Sequence, residues 1–255
     1  MNAVNPALRL VEKELYVYFK TYYTELTYVI LFPFLLVWTM GVGIGRSEDP
    51  VTIGGYDYIE FIAPGIILMS VVTTAFFNTG FIMLFEKEYQ GSFDGVITCP
   101  ISAGEVVMGK ILAGTIKSVI NGMIIILIIL LVMDYTPPWT ILLSPLILFV
   151  SALFFAAIGL MLGVVLKRGY HLGTIGNIVV LPPTFLGGIF FEVDNLPDGV
   201  ADAIRLSPVT MMIDGTRKLF LFGDANIGIE LVVIFVTSML LYLLATKIFE
   251  REVIS

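Results

Sequence analysis

Long uncharged apolar runs alternate with short polar connectors along the 255 residues of the chain. The runs 26–45, 61–85, 141–166 and 172–191 each reach the roughly 20 residues that a bilayer-crossing helix requires. Two shorter runs join them. Residues 118–133 extend back to Ile111 across Lys117, and 231–246 extend back to Ile227 across Glu230. Both charges lie near span ends, where a side chain reaches the interface. The pattern predicts six membrane-spanning helices with both termini on one side.

Before the first run, Leu8, Val11, Leu15, Tyr18 and Tyr22 recur at steps of three and four, while Arg9, Glu12, Lys13 and Lys20 take the other faces. This spacing predicts an amphipathic helix in the inner membrane interface. Its aromatics Tyr16, Tyr18, Phe19, Tyr22 and Tyr23 suit the headgroup level, either as an anchoring belt or as a gate beside the entrance for a lipid-like substrate. Residues 192–226 are too polar to span, yet Leu196, Val200, Ala203 and Ile204 repeat at helical spacing, as do Val209, Met212, Ile213 and Thr216. Two short helices on, or dipping into, the outer leaflet are expected, broken at Ser207-Pro208. In the middle of the fifth run, Pro182-Pro183 remove backbone donors and crowd the preceding turn. A kink or break is expected there, either lining a packed or watery position or bending the helix with no transport role.

Composition identifies the class. Some 58% of residues are hydrophobic and 14% charged, with a mean hydropathy of +0.96, whereas a soluble domain carries about a quarter charged residues. Residues 1–25 are mixed polar and aromatic, so no removable signal peptide is expected. Lysine and arginine set orientation. With the N-terminus inside, ten of them lie on the inner side and four (Arg46, Arg205, Arg217 and Lys218) outside. A plasma-membrane protein with cytoplasmic termini is expected. The acids lean outward, twelve against nine, so the net charge of -7 belongs to the outer face. No basic patch fits a nucleic acid, and the single cysteine, Cys99, excludes an internal disulfide or a thiolate metal cluster.

The chain lacks a GxxxxGK[ST] loop for nucleotide phosphates, and HExxH and GxSxG are also missing. Its single histidine, His171, follows Lys167 and Arg168 in a short inner loop and reads as interfacial rather than catalytic. Carboxylates and histidines are missing from the middle of every run, where ion-coupled carriers keep them. The mid-run polar residues are neutral: Thr73, Thr74, Asn78, Asn121 and Asn177. They serve either hydrogen bonds between helices or a polar pathway. A pore former powered from outside the chain follows, with the connector after the second run as the contact point. There Glu86, Glu88 and Tyr89 precede Gly91, and Phe93, Val96 and Ile97 follow. The pattern fits equally a glycine-interrupted helix presenting acids to a basic partner and a solvated loop.

The segment EKEYQGSFDGVITCPIS, followed by GEVVMGKILAG, resembles the E-[RK]-E-x-x-G-[ST]-[LF]-[DE]-x-[LIV]-x-x-[TC]-P-[IL]-S pattern of type-2 ATP-binding-cassette exporter permeases. LTYVILFPFLLVWTMGVGIG, YIEFIAPGIILMSVVTTAFF and NIVVLPPTFLGGIFFEVDNLPDGVADAIRLSPVTMMIDGTRKLF resemble further parts of that family, nearest its nodulation-factor, lipo-oligosaccharide and drug exporter branch. Cys99-Pro100 stands where threonine-proline is commoner, and the proline is kept. The resemblance implies an all-α integral membrane fold and one permease domain over the whole chain. An amphipathic connecting helix over 1–25 would precede helices one to five over 26–191, which include a coupling loop at 86–105. Outer re-entrant short helices over 192–226 and a sixth helix over 227–249 would complete it. It also implies a homodimer that pairs with cytosolic ATPase subunits, which hold the ATP and magnesium, so that the chain itself binds no cofactor and is no enzyme.

Cargo would be amphipathic, lipid-linked or glycan-type compounds or drugs, moved outward. By position, Glu86, Lys87, Glu88, Tyr89, Gly91, Phe93 and Asp94 take the place of the coupling helix that docks into the ATPase. The expected pathway runs past Thr73, Asn78, Asn177 and Pro182, with Phe185, Phe190 and Phe191 near its outer end. The rival classes are a channel or secondary carrier without ATP, and a membrane subunit that transports nothing.

Overall fold

The computed structural model describes residues 6–44, 52–88, 101–132 and 135–254. These form helices α1 (Pro6–Ile44), α2 (Tyr58–Glu88), α3 (Ala103–Val132), α4 (Ser144–Val165), α5 (Gly169–Leu186), α6 (Asp198–Arg205), α7 (Pro208–Arg217) and α8 (Gly228–Phe249), with a short antiparallel hairpin, β1 (Thr52–Ile53) and β2 (Tyr56–Asp57). Among the described residues four helical stretches are long and apolar enough to cross a membrane: Tyr58–Glu88, Ala103–Leu131, Trp139–Val165 and Gly228–Val253. The other two expected spans fall on α1, whose apolar stretch here is Leu31–Met40, and on α5, where His171, Asn177 and two prolines dilute an 18-residue helix.

Local chemistry explains the helix boundaries. Gly54 and Gly55, with φ of +60° and +86°, make the tight hairpin turn that non-glycine residues resist. Ser207 accepts a hydrogen bond from the Val209 amide and Pro208 occupies the first turn of α7, a start with one amide satisfied and one removed. The break at Ser207-Pro208 is therefore where the sequence placed it, between α6 and α7. Val209, Met212, Ile213 and Thr216 all turn inward. The expected face of α6 fares less well: Val200 and Ala203 are exposed, and Ala201 is the buried residue.

Pro182 and Pro183 do not end α5. The helix continues to Leu186 and stops at Gly187-Gly188, where the Gly187 amide bonds the Pro183 carbonyl and Gly188 takes φ +96°. Proline blocks only hydrogen bonds toward the preceding turn, so one further turn can follow it. The N-terminal helix is likewise unbroken from residue 6 to 44, with no interruption at the expected boundary after residue 25.

Helix α2 is the centre of the bundle: 72% of its most apolar window is buried, against 17% for α8. Ile229, Val232, Phe235, Leu240 and Leu243 of α8 face outward, as suits a helix bathed in lipid. Helices α2 and α4 pack tightly along Gly159-x-x-x-Gly163. A Cβ on Gly159 would lie 2.2 Å from the Phe76 carbonyl oxygen, and one on Gly163 2.4 Å from that of Gly80. Only hydrogen fits, which is how small residues let membrane helices approach. Gly159→Ala should force the backbones apart and destabilise the fold by about 1–3 kcal/mol, read as a lower melting temperature in detergent; an unchanged melt would contradict this packing.

Candidate functional site

At the C-terminal end of α2, the three described residues of the expected partner-binding stretch meet different fates. Glu88 is exposed. Lys87 donates to the Val164 carbonyl at 2.7 Å, tying α2 to the last turn of α4. Glu86 is 8% exposed and turned inward, its carboxylate held by Lys110 of α3 at 2.6 Å. Tyr89, Gly91, Phe93 and Asp94 lie outside the described residues. The chain returns at Ser102, which with Glu105 forms a reciprocal cap. The Ser102 amide and hydroxyl donate to the Glu105 carboxylate at 2.9 and 2.8 Å, and the Glu105 amide donates back to the Ser102 hydroxyl at 3.3 Å. The connector thus leaves from and re-enters on two anchored helix ends.

Glu86 belongs to a larger group that spacing did not reveal. Lys110 also donates to Glu14 of α1 at 2.7 Å, and Lys117, one helical stretch along α3, donates to the other Glu14 oxygen at 2.9 Å. Lys13 approaches Glu86 at 3.8 Å from an exposed position. Glu14, Glu86, Lys110 and Lys117 are each at most 8% exposed, and two anions balance two cations, which is what burial of charge demands. Glu14, Lys110 and Lys117 border a small cavity with Thr79 and Gly114.

Two expectations are corrected at this point. Lys117 does not reach for the interface, because its partner sits on α1. Tyr18 is not a headgroup ring: it is 1% exposed and donates its hydroxyl to Asn121 of α3. The stripe that α1 turns inward is Ala7, Val11, Glu14 and Tyr18, whereas Leu8, Tyr16 and Phe19 face out. The apolar repeat of residues 8–22 therefore mixes positions that pack on protein, Val11 and Tyr18, with ones that stay exposed, such as Leu8.

The expected pathway residues do not converge on one cavity among the described residues. Thr73 and Asn78 are half-buried on α2, and the Thr73 hydroxyl has no partner. Asn177 and Pro182 are exposed on α5. Phe185 and Phe190 stack with centroids 5.3 Å apart beside the Gly187-Gly188 turn, with Phe191 half-buried next in sequence. A ladder that sequence did not single out, Phe77, Phe81 and Phe85, stacks down one face of α2 at 5.9 and 6.1 Å. Gly176 brings α5 against the rings of Phe76 and Phe77. His171 is exposed beside Tyr170.

At the opposite end of α2, Arg217 closes the turn after α5. Its guanidinium lies 3.9 Å from the centre of the Phe61 ring, donates to the Gly188 carbonyl at 2.8 Å and to that of Ile189 at 3.4 Å, and stands 3.7 Å from Asp214. Burial lowers its pKa against the pull of Asp214 and Glu192, and burial likewise raises that of Asp214. Beyond it, residues 218–222 form a wide helical turn whose Leu219, Phe220 and Leu221 carbonyls accept from Thr140, Tyr135 and Tyr56. Lys218 pairs with Glu230 at 2.6 Å, so neither charge stands alone at this end.

Comparison with known proteins agrees with this architecture. Residues 8–221 match the ABC-2 type transporter family. The chain is 27% identical over 199 residues to the inner membrane transport permease YadH of Escherichia coli (strain K12), covering 77% of each protein. It is 25% identical over 186 residues to nodulation protein J of Rhizobium leguminosarum bv. trifolii, covering 73% of this chain and 71% of the relative. With nodulation protein J of Rhizobium meliloti (strain 1021) the identity is 22% over 219 residues, 85% of this chain and 83% of the relative. A match across most of a chain built of apolar spanning helices has a plain consequence: the protein belongs to the ABC-2 type transporter family, as a multi-pass membrane permease.

Proposed function

We propose that the chain is the membrane subunit of an ATP-driven exporter of the inner membrane, powered by a separate cytosolic ATPase and working as a pair of copies. Its cargo is amphipathic: a lipid-linked or glycan-bearing compound or a drug. Six spans place both termini in the cytoplasm, α1 contributes the connecting helix and first span, and α6 and α7 dip from the outer side. The ATPase grips the connector that follows Glu88, and ATP binding moves it. The observation that carries this is the family match over residues 8–221 in a chain with no phosphate-binding loop of its own. The anchored ends of the connector support it, because a pull is transmitted only through a segment whose roots are fixed. The Phe77–Phe81–Phe85 ladder beside polar Asn78 supports an amphipathic cargo.

The test is co-expression with the ATPase encoded beside the permease, purification through a tag on the permease, and hydrolysis assays in lipid vesicles. Vanadate-sensitive hydrolysis is expected in the purified complex. Glu88→Lys should leave insertion intact while lowering hydrolysis roughly five-fold or more, the lower range of coupling between sites. Unchanged hydrolysis would remove Glu88 from the contact. The rival is a channel or carrier that needs no ATP; substrate flux in vesicles without nucleotide would support it instead.

A further inference from the structure

The quartet of buried charges contains an asymmetry. Lys110 has two acceptors, Glu14 and Glu86, and Glu86 has two cations, Lys110 in contact and Lys13 at 3.8 Å. Lys117 keeps Glu14 neutralised whichever partner Lys110 holds. Glu86 can therefore leave Lys110 for Lys13 without stranding a charge: Lys110 stays on Glu14, and Lys13 is drawn in from an exposed position. A buried charge left unpaired would forbid such a step, and this arrangement avoids it.

We propose that Glu86 exchanges Lys110 for Lys13 in the second conformation of the transport cycle, and that the exchange rolls α1 against α2 and α3. Lys13 and Glu14 are consecutive on α1 and so point about 100° apart. In the described state the Glu14 side faces Lys110 and Lys117, and Lys13 reaches the edge of Glu86 from an exposed position; drawing Lys13 into the buried place that Lys110 now holds turns α1. The cavity beside Thr79, whose hydroxyl has no partner, is lined by Glu14, Lys110 and Lys117 and leaves slack for the two lysine side chains to follow Glu14 as α1 turns. Glu86 lies two residues before the end of α2, at the root of the connector, so this rests on the proposal that the connector is where the ATPase pulls. Two discrete pairings, each fully neutralised, make the two-state element that such a pull can bias.

The exchange is tested on the full-length chain in lipid nanodiscs. Spin labels are placed by Tyr16→Cys and Val165→Cys, both exposed sites, in a Cys99→Ser background. Lys110→Gln leaves Lys13 as the nearest cation to Glu86, and should shift the label distance by on the order of 5 Å, the scale of a partial roll of a helix. Adding Lys13→Gln should cancel the shift. An unchanged distance, or a shift that persists without Lys13, overturns the proposal. If Lys110→Gln does not fold, the nucleotide-trapped complex decides: the distance change on vanadate trapping should be lost in Lys13→Gln and kept in Lys13→Arg, and its survival in Lys13→Gln overturns the exchange. A permease that never retains the ATPase counts against the partner instead, and the label measurement on the chain alone still decides the exchange.

Discussion

Glu14→Ala is expected to cost the fold about 3–5 kcal/mol, the loss typical when one member of a buried ion pair is removed and the other stays. Glu14 is the carboxylate shared by Lys110 and Lys117, and Lys117 has no other acceptor in the quartet. The loss should appear as a large fall in melting temperature in detergent. Glu14→Leu combined with Lys117→Met should recover much of it, because the penalty comes from a stranded charge rather than from missing attraction. A mild single variant, or a double variant no better than the single one, would mean that water reaches these groups and that they are not buried in the membrane-embedded protein.

The second large effect is expected at the other end of α2. Arg217→Ala removes the cation above Phe61 and the donors to the Gly188 and Ile189 carbonyls, interactions together worth about 2–4 kcal/mol when desolvated. Hydrogen exchange over residues 187–191 should rise, while the α2 and α4 pair stays protected. Arg217→Lys should not restore protection, since a point charge cannot serve the ring and two carbonyls at once as the planar fork does. Protection equal to the wild type in Arg217→Ala would show that the turn is held by Gly187-Gly188 geometry alone.

Both effects sit where sequence inspection was least informative. The Ser207-Pro208 break and the inward face of α7 were legible because caps and helical spacing are local signals. Pro182-Pro183, where a kink or break was expected, do not end α5: proline announces itself in a sequence, but the glycine pair with φ +96° at Gly188 does the terminating. Phe185 and Phe190 stack on each other while Asn177 and Pro182 are exposed, a division that spacing along the chain did not carry. Glu86 was legible as a polar residue of the connector but not as a buried one. Its inward turn depends on Lys110, a residue that spacing assigned simply to an inner segment.

The sequence by itself determined the apolar segments, the membrane class and the order of motifs that marks the family, since each depends on residues close along the chain. Tertiary structure decided which face of α1 packs on protein and which stays exposed, because both carry apolar residues and one helix period cannot rank them. It also decided that Glu14 meets Lys110 and Lys117, partners 96 and 103 residues away. A charge in an apolar run is tolerable only beside its counter-charge, and that adjacency exists in the folded bundle alone.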